Sequence, residues 1–248
     1  MAVLSLHLFY LDRLYNWTTI SLIMVVGYFF LAGASYYYFY KLRVKKWYKK
    51  KVQPKKPSTS MVRLEILYSS ITLLIYCGTS WIIYYCYGLG ITKIYFEIEK
   101  FGWSYFLISI ICSILIHDTY FYWTHRLIHL RYLFKFIHRT HHLSHNPTPW
   151  ATFSFHPIEG IISVGYIPII VFLIPIHPLS LFIFLSNMTL VSIVGHLGYE
   201  VFSIQFLKGN FGKWINSPTF HNKHHEIAKY NFGLYFTYWD RIMGTFKG

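Results

Sequence analysis

Acidic side chains are scarce in this 248-residue chain: 9 Asp and Glu stand against 23 Lys and Arg, and charged residues make up only 13% of it. A soluble domain ordinarily carries about a quarter, so an ordinary water-soluble globule is excluded. Cysteine is nearly absent. Cys77, Cys86 and Cys112 all lie inside apolar runs without CxxC spacing, so neither an iron–sulfur site nor a disulfide framework is indicated. The first ten residues lack the basic start of a cleavable signal peptide, and Asp12 and Arg13 interrupt the short apolar stretch, so export of a soluble domain is not implied. Nor is there a low-complexity tail, a flavin fingerprint, a haem motif or a cytochrome-like domain.

What is present is apolar surface. Hydrophobic residues make up 54% of the chain and aromatics 21%. Five apolar segments stand out, roughly 17–40, 64–87, 103–122, 160–176 and 179–195. The first three are long enough to cross a hydrocarbon core of about 30 Å as helices. The last two meet at His177-Pro178, where proline interrupts the helix, which predicts a hairpin returning to its own side. The fold class expected is all-α: an integral membrane bundle of about four to five segments with a histidine-rich helical cap. The formal charge of +14 invites a nucleic-acid reading, but a groove-binding domain would not carry several uncharged runs of about 20 residues, so no nucleic-acid partner is expected.

Charge then sets orientation. Residues 41–56, KLRVKKWYKKKVQPKK, hold nine Lys or Arg and no acid, which marks a cytosolic loop. Threading from it puts the N-terminus and the loop around Lys93 outside, and residues 124–159 and 196–248 on the cytosolic side. Eleven of the fourteen histidines lie in those two stretches. Asn16-Trp17-Thr18 is a glycosylation sequon, but one that abuts the membrane.

Positions 138–142 read HRTHH and 221–225 read HNKHH. Residues three and four apart share a helix face, so each box is expected to project its three imidazoles as one cluster: His138, His141 and His142, then His221, His224 and His225. HRLIH adds His125 and His129 one turn apart at the end of the third apolar segment. Burying eight such rings without a shared partner would cost several kcal/mol, and two metal ions fit that number better than one. His7 and His177, by contrast, read as ordinary interfacial residues. His196 is a candidate ninth ligand.

Imidazole suits iron, zinc, copper and nickel alike. The lack of paired Glu-x-x-His motifs argues against a soluble carboxylate di-iron bundle. Two acids are candidates for the chemistry. Asp118 lies seven residues before His125 on the same face, about 10 Å deeper, which favours a role behind the ligands or in a channel. Glu200 follows His196 by one turn. His117 reads as deeper still and off that face.

Taken in order, HDTYFYWTHRLIH at 117–129, HRTHH, PTPWATFSFHPIEG at 147–160, GHLGYE at 195–200, HNKHH and NFGLYFTYWDRIMGT at 231–245 resemble the fatty acid hydroxylase / sterol desaturase superfamily, with the PTPW stretch most similar to the sterol C5-desaturase branch. The resemblance covers roughly residues 104–246 and suggests two parts: membrane segments and a basic loop over 1–102, and a catalytic domain over 103–248. It implies a membrane-bound non-haem oxygenase whose boxes hold two iron ions, with zinc as a substitute, on the cytosolic face. His156 joins the neighbourhood as a further possible ligand, as does His145. The implied reaction is hydroxylation or desaturation of a membrane lipid with O2, its electrons coming from a separate carrier such as cytochrome b5 or ferredoxin. The membrane expected is the bacterial inner membrane or the endoplasmic reticulum.

Phe121, Tyr122, Trp123, Trp150, Phe153 and Phe155 are candidate walls for the lipid. Lys135, Arg139, Lys208, Lys213, Lys223 and Lys229 suit either an acidic carrier or anionic headgroups. Asp240-Arg241 is expected to form an ion pair locking the C-terminal helix. Two alternatives remain at this point, a transition-metal transporter and an ether-lipid monooxygenase of the same fold.

Overall fold

A computed structural model describes residues 2–248, with side chains from Asn16 onward; His7 lies outside the described side chains. Backbone pairing outside helices is slight: the described residues contain three isolated β-bridges and no strand. Seven helices matter here: α1 (Ala2–Tyr37), prolonged by a π-turn at Tyr38–Leu42, α2 (Thr59–Gly88), α3 (Gly102–Ile128), α4 (Pro157–Val164), α5 (Tyr166–Leu173), α6 (Pro178–Gly195) and α7 (Pro218–Ile227). Four are long and apolar enough to cross a membrane: Asn16–Leu42, α2, α3 and α6. Their outward side chains are apolar, as at Phe30 and Leu74, which are 70% and 71% exposed. This is a multi-pass membrane architecture.

The fourth apolar segment is two helices. Pro168 has no N–H to offer Val164, so the helix cannot run through, and the proline sits instead in the first turn of α5, where that donor is dispensable. Gly165 fills the break: the Tyr120 hydroxyl, which donates to Ile162 O at 2.6 Å, occupies the space a Cβ would need. Together α4 and α5 span Pro157–Leu173, about 25 Å of helix, and α6 returns alongside α3. The tip of this hairpin is pinned to the loop after α2, Lys93 N donating to Val171 O and Ile176 N to Lys93 O. His177 is architectural: Nδ1 caps α6 by accepting from Leu179 N, and Nε2 lies 3.0 Å from Phe96 O.

At the other end, the segment after α1 is a clasp rather than a free loop. Val52 N donates to Gly198 O, Glu200 N to Lys50 O, and Gln53 Nε2 to Asn222 Oδ1 at 2.7 Å. The 3-10 turn Pro149–Phe153 wedges between α1 and α2, its Trp150 carbonyl accepting from Tyr28 and Ser69 hydroxyls, while Thr148 donates to the buried Glu65. The expected ion pair within Asp240-Arg241 does not form. Asp240 accepts from Phe232 N, Gly233 N and Thr245 Oγ1, and Arg241 reaches Thr237 Oγ1 and Lys213 O. Neighbours on a helix point about 100° apart, and the bent 232–233 backbone supplies Asp240 with better-placed donors.

Candidate metal centre

Each histidine is placed by a terminus or a local distortion. His125 ends the last turn of α3, and His129 caps it. The chain turns at Leu130, enters a π-turn over Phe134–His138 and continues as the short helix Arg139–His142, so the second box straddles a change of helical pitch. His196 is the C-cap of α6. Helix α7 opens on a Ser217 cap with Pro218 behind it and closes on left-handed Ala228, whose N–H returns to His224 O.

All nine expected imidazoles converge, but not box by box. His125, His129, His138, His142 and His224 form one group, and His141, His196, His221 and His225 another, the ligand atoms within each lying within 4.8 Å of one another. In each HxxHH box the first and last histidine, four apart, serve one group and the middle one serves the other. The two boxes do this in opposite sense, so each contributes to both groups. The expectation of one cluster per box is therefore corrected. Rings of the two groups approach to 5.2 Å at His138 and His141 and 5.0 Å at His142 and His225.

The protons show what the groups require. His141 Nδ1 faces Ser154 O at 3.3 Å and His196 Nδ1 faces Ser192 O at 2.8 Å. A carbonyl only accepts, so both Nδ1 atoms carry the hydrogen and both Nε2 atoms are bare lone pairs. Those two Nε2 atoms lie 3.3 Å apart. The same holds for His125 on Phe232 O and His224 on Tyr230 O, and His224 Nε2 is buried without a partner. Other Nε2 pairs stand at 3.0 Å (His125 and His138), 3.1 Å (His138 and His142) and 2.9 Å (His196 and His221). Metal–nitrogen bonds of about 2.1 Å put ligands at right angles about 3.0 Å apart. Lone pairs aimed at one another without a proton fit a shared cation.

Burial and the neighbouring imidazoles hold the rings neutral, the form that ligates. His138, His141, His221, His224 and His225 lie well below the ordinary histidine value, His129 is lowered too, and desolvation brings His142 to about 3 and His196 to about 4.

The remaining candidates land elsewhere. Asp118 is turned from the imidazoles: Oδ1 accepts from Tyr235 N at 2.9 Å and Phe236 N at 3.4 Å. Glu200 accepts from Phe202 N, Thr219 N and Thr219 Oγ1, holding the start of α7. Neither carboxylate belongs to an imidazole group, and each holds backbone amides. His145 is exposed, its carbonyl taking Gln53, and His156 caps α4. Neither joins a group. The residue missed is Glu159, whose Oε1 lies 2.6 Å from His138 Nδ1. Its signal was present: no other acid occurs between Asp118 and Glu200.

A cavity runs from His125, His138, His141, His196 and His221 into the bundle. Phe121, Phe153 and Phe155 line it, whereas Tyr122 stacks on Trp239, Trp123 is exposed and Trp150 packs on α1. His117 lines it too, contrary to the expected off-face placement. Lys135, Arg139, Lys208 and Lys229 are exposed, and Lys213 and Lys223 half-buried.

The family model "Fatty acid hydroxylase" matches residues 110–245. A "Lathosterol oxidase" of Rattus norvegicus is 34% identical over 241 residues, 92% of this chain and 75% of that protein. A "Delta(7)-sterol 5(6)-desaturase" of Aspergillus fumigatus is 30% identical over 236 residues, 89% of this chain and 71% of that protein. Another of that description, from Gibberella zeae, is 33% identical over 159 residues, covering 64% and 47%. No solved structure matches the chain.

Proposed function

Because this chain belongs to the fatty acid hydroxylase family, matched over residues 110–245, we propose that it is a membrane-bound non-haem di-iron oxygenase that hydroxylates or desaturates a lipid of sterol or fatty acyl type. The observation that carries this is the facing of bare Nε2 atoms in two adjoining groups of five and four histidines. His125, His129, His138, His142 and His224 would hold one iron, and His141, His196, His221 and His225 the other. When bound, the iron pair supplies the redox chemistry with O2 that an unactivated C–H bond demands.

The chain's residues supply the rest. Carbonyls of Phe232, Ser154, Ser192 and Tyr230 keep the Nδ1 hydrogens in place and thereby aim the Nε2 atoms. Glu159 does this for His138. Phe121, Phe153, Phe155, Met188 and Leu234 make the cavity wall that excludes water and receives the apolar substrate. Electrons come from a separate carrier such as cytochrome b5 or ferredoxin, with exposed Lys135, Arg139, Lys208 and Lys229 on the face it approaches. Residues 103–248 form the catalytic part on a platform of residues 1–102. The nine cations of residues 41–56, clasped onto Gly198 and Glu200, argue for a cytosolic active site in a bacterial inner membrane or the endoplasmic reticulum.

Both groups lie at one end of the helices rather than at the midplane along a path, which favours the oxygenase over a transporter. The test is lipid mass spectrometry of cells expressing the wild type or His141→Ala. A product about 16 mass units heavier or about 2 lighter is expected with the wild type alone, for an added oxygen or a removed hydrogen pair. Equal product from folded His141→Ala refutes the reading.

A further inference from the structure

Helix α3 carries His117 and Asp118 side by side, His117 about 12 Å of helix from His125 and near the middle of the span. Ionisable residues at such depth are costly and mark function unless their partners account for them. Asp118 is accounted for by the Tyr235 and Phe236 backbone. His117 is only half so. Its Nδ1 lies 2.9 Å from the Tyr235 hydroxyl, and its Nε2 has no partner among the described residues.

That free nitrogen belongs to a cavity-lining residue. The Tyr166 ring lies 3.9 Å from the His117 ring and lines the same cavity, and its hydroxyl also has no partner among the described residues. Other polar groups on this part of the wall are spent, and the unpartnered Glu159 Oε2 belongs to the His138 end. Tyr76 pairs with Ser163 at 2.8 Å, Tyr120 donates to Ile162 O, and Thr152 donates to Pro149 O. Two side chains with unpartnered polar atoms thus touch ring to ring in the wall about 12 Å of helix from His125, and the lining has no Lys or Arg. A carboxylate or phosphate brought there would lie deep in the span without a countercharge. A hydroxyl is neutral and both donates and accepts, so it suits either tautomer of His117.

We infer that His117 and Tyr166, with Tyr235 orienting the imidazole, form a hydroxyl-recognition subsite, and that the ligand of this cavity is an otherwise apolar lipid alcohol whose oxygen docks roughly 12 Å along α3 from His125. That this alcohol is the substrate rests on the oxygenase reading; the binding itself does not. Oxidation then falls on carbon within reach of the histidine groups while the hydroxyl is held at the far end, so the subsite sets which carbon is presented.

The test is equilibrium binding to full-length, iron-loaded protein in detergent with two probe pairs, a Δ7-sterol against its 3-deoxy counterpart and octadecanol against octadecane. The wild type is expected to bind at least one alcohol about tenfold more tightly than its deoxygenated partner, the effect of one or two neutral hydrogen bonds. His117→Leu and Tyr166→Phe, at unchanged iron content and melting temperature, should lose most of that preference without weakening the deoxy probe. His117→Gln, which keeps a donor, should retain part of it. A wild type indifferent to the hydroxyl in both pairs overturns the inference, as does a preference that survives in His117→Leu with Tyr166→Phe combined. A His117-dependent preference in a protein that oxidises no lipid would sink the oxygenase reading and leave the subsite standing.

Discussion

Glu159 Oε1 lies 2.6 Å from His138 Nδ1, the one carboxylate paired with an imidazole among the described residues, and Glu159 Oε2 is buried with no partner. A carboxylate so poorly compensated is stable only near positive charge, which a cation behind His138 provides. Glu159→Gln is expected to leave the fold intact and weaken metal retention about 10- to 100-fold, as loss of such a carboxylate partner ordinarily does. Metal content after graded chelation, measured by elemental analysis, checks this; wild-type retention would refute it.

The division of each box between two groups predicts stoichiometry. His129→Ala removes a ligand from the first group alone and His221→Ala from the second alone. Each variant should lower bound iron from about two to about one per chain, and the pair together to near zero, while either alone abolishes turnover. A single substitution that empties both sites would show one shared centre instead.

Acid should destabilise the metal-free protein. His142 and His196 are brought down to about 3 and about 4, so below the ordinary value near 6.5 the unfolded chain takes up protons that the folded chain does not. Stability is full above about 6.5 and falls as pH drops toward 4, by about 1.4 kcal/mol per pH unit for each such ring. Melting curves in detergent across that window should show a midpoint that declines with acid, and a flat profile would contradict the buried neutral state.

Asp118 is expected to affect stability before chemistry. Asp118→Leu leaves the Tyr235 and Phe236 amides unpaired at a cost of about 2–4 kcal/mol and lowers the melting temperature by several degrees. Asp118→Asn keeps an acceptor and should keep most of the activity. An Asn variant that is stable yet inactive would return Asp118 to the chemistry.

The apolar spans and the nine histidines were legible in the sequence because hydropathy and three- and four-residue spacing are local properties. The sharing of each box between groups was not, because it depends on how α7 crosses the 138–142 turn, a relation between segments some eighty positions apart. Helical phase misled in one place. Asp118 lies closer in angle to His125 than His117 does, but the cavity stripe runs through His117, Phe121, Thr124 and Ile128, to the other side of His125. Glu159 went unnoticed because a single acid after a proline carries no periodic pattern. Asp240 and Arg241 looked paired only because they are adjacent in sequence.

Neither imidazole group is whole without α7, since His224 completes the first and His221 and His225 the second. A ribosome adding about 5–20 residues per second needs several seconds to go from His125 to that helix. Throughout that interval the nascent chain holds half-built sites whose lone pairs have nothing to bind. On the oxygenase reading, cells starved of iron while synthesis continues should accumulate inserted but empty chains that are activated when the metal is restored, without new translation.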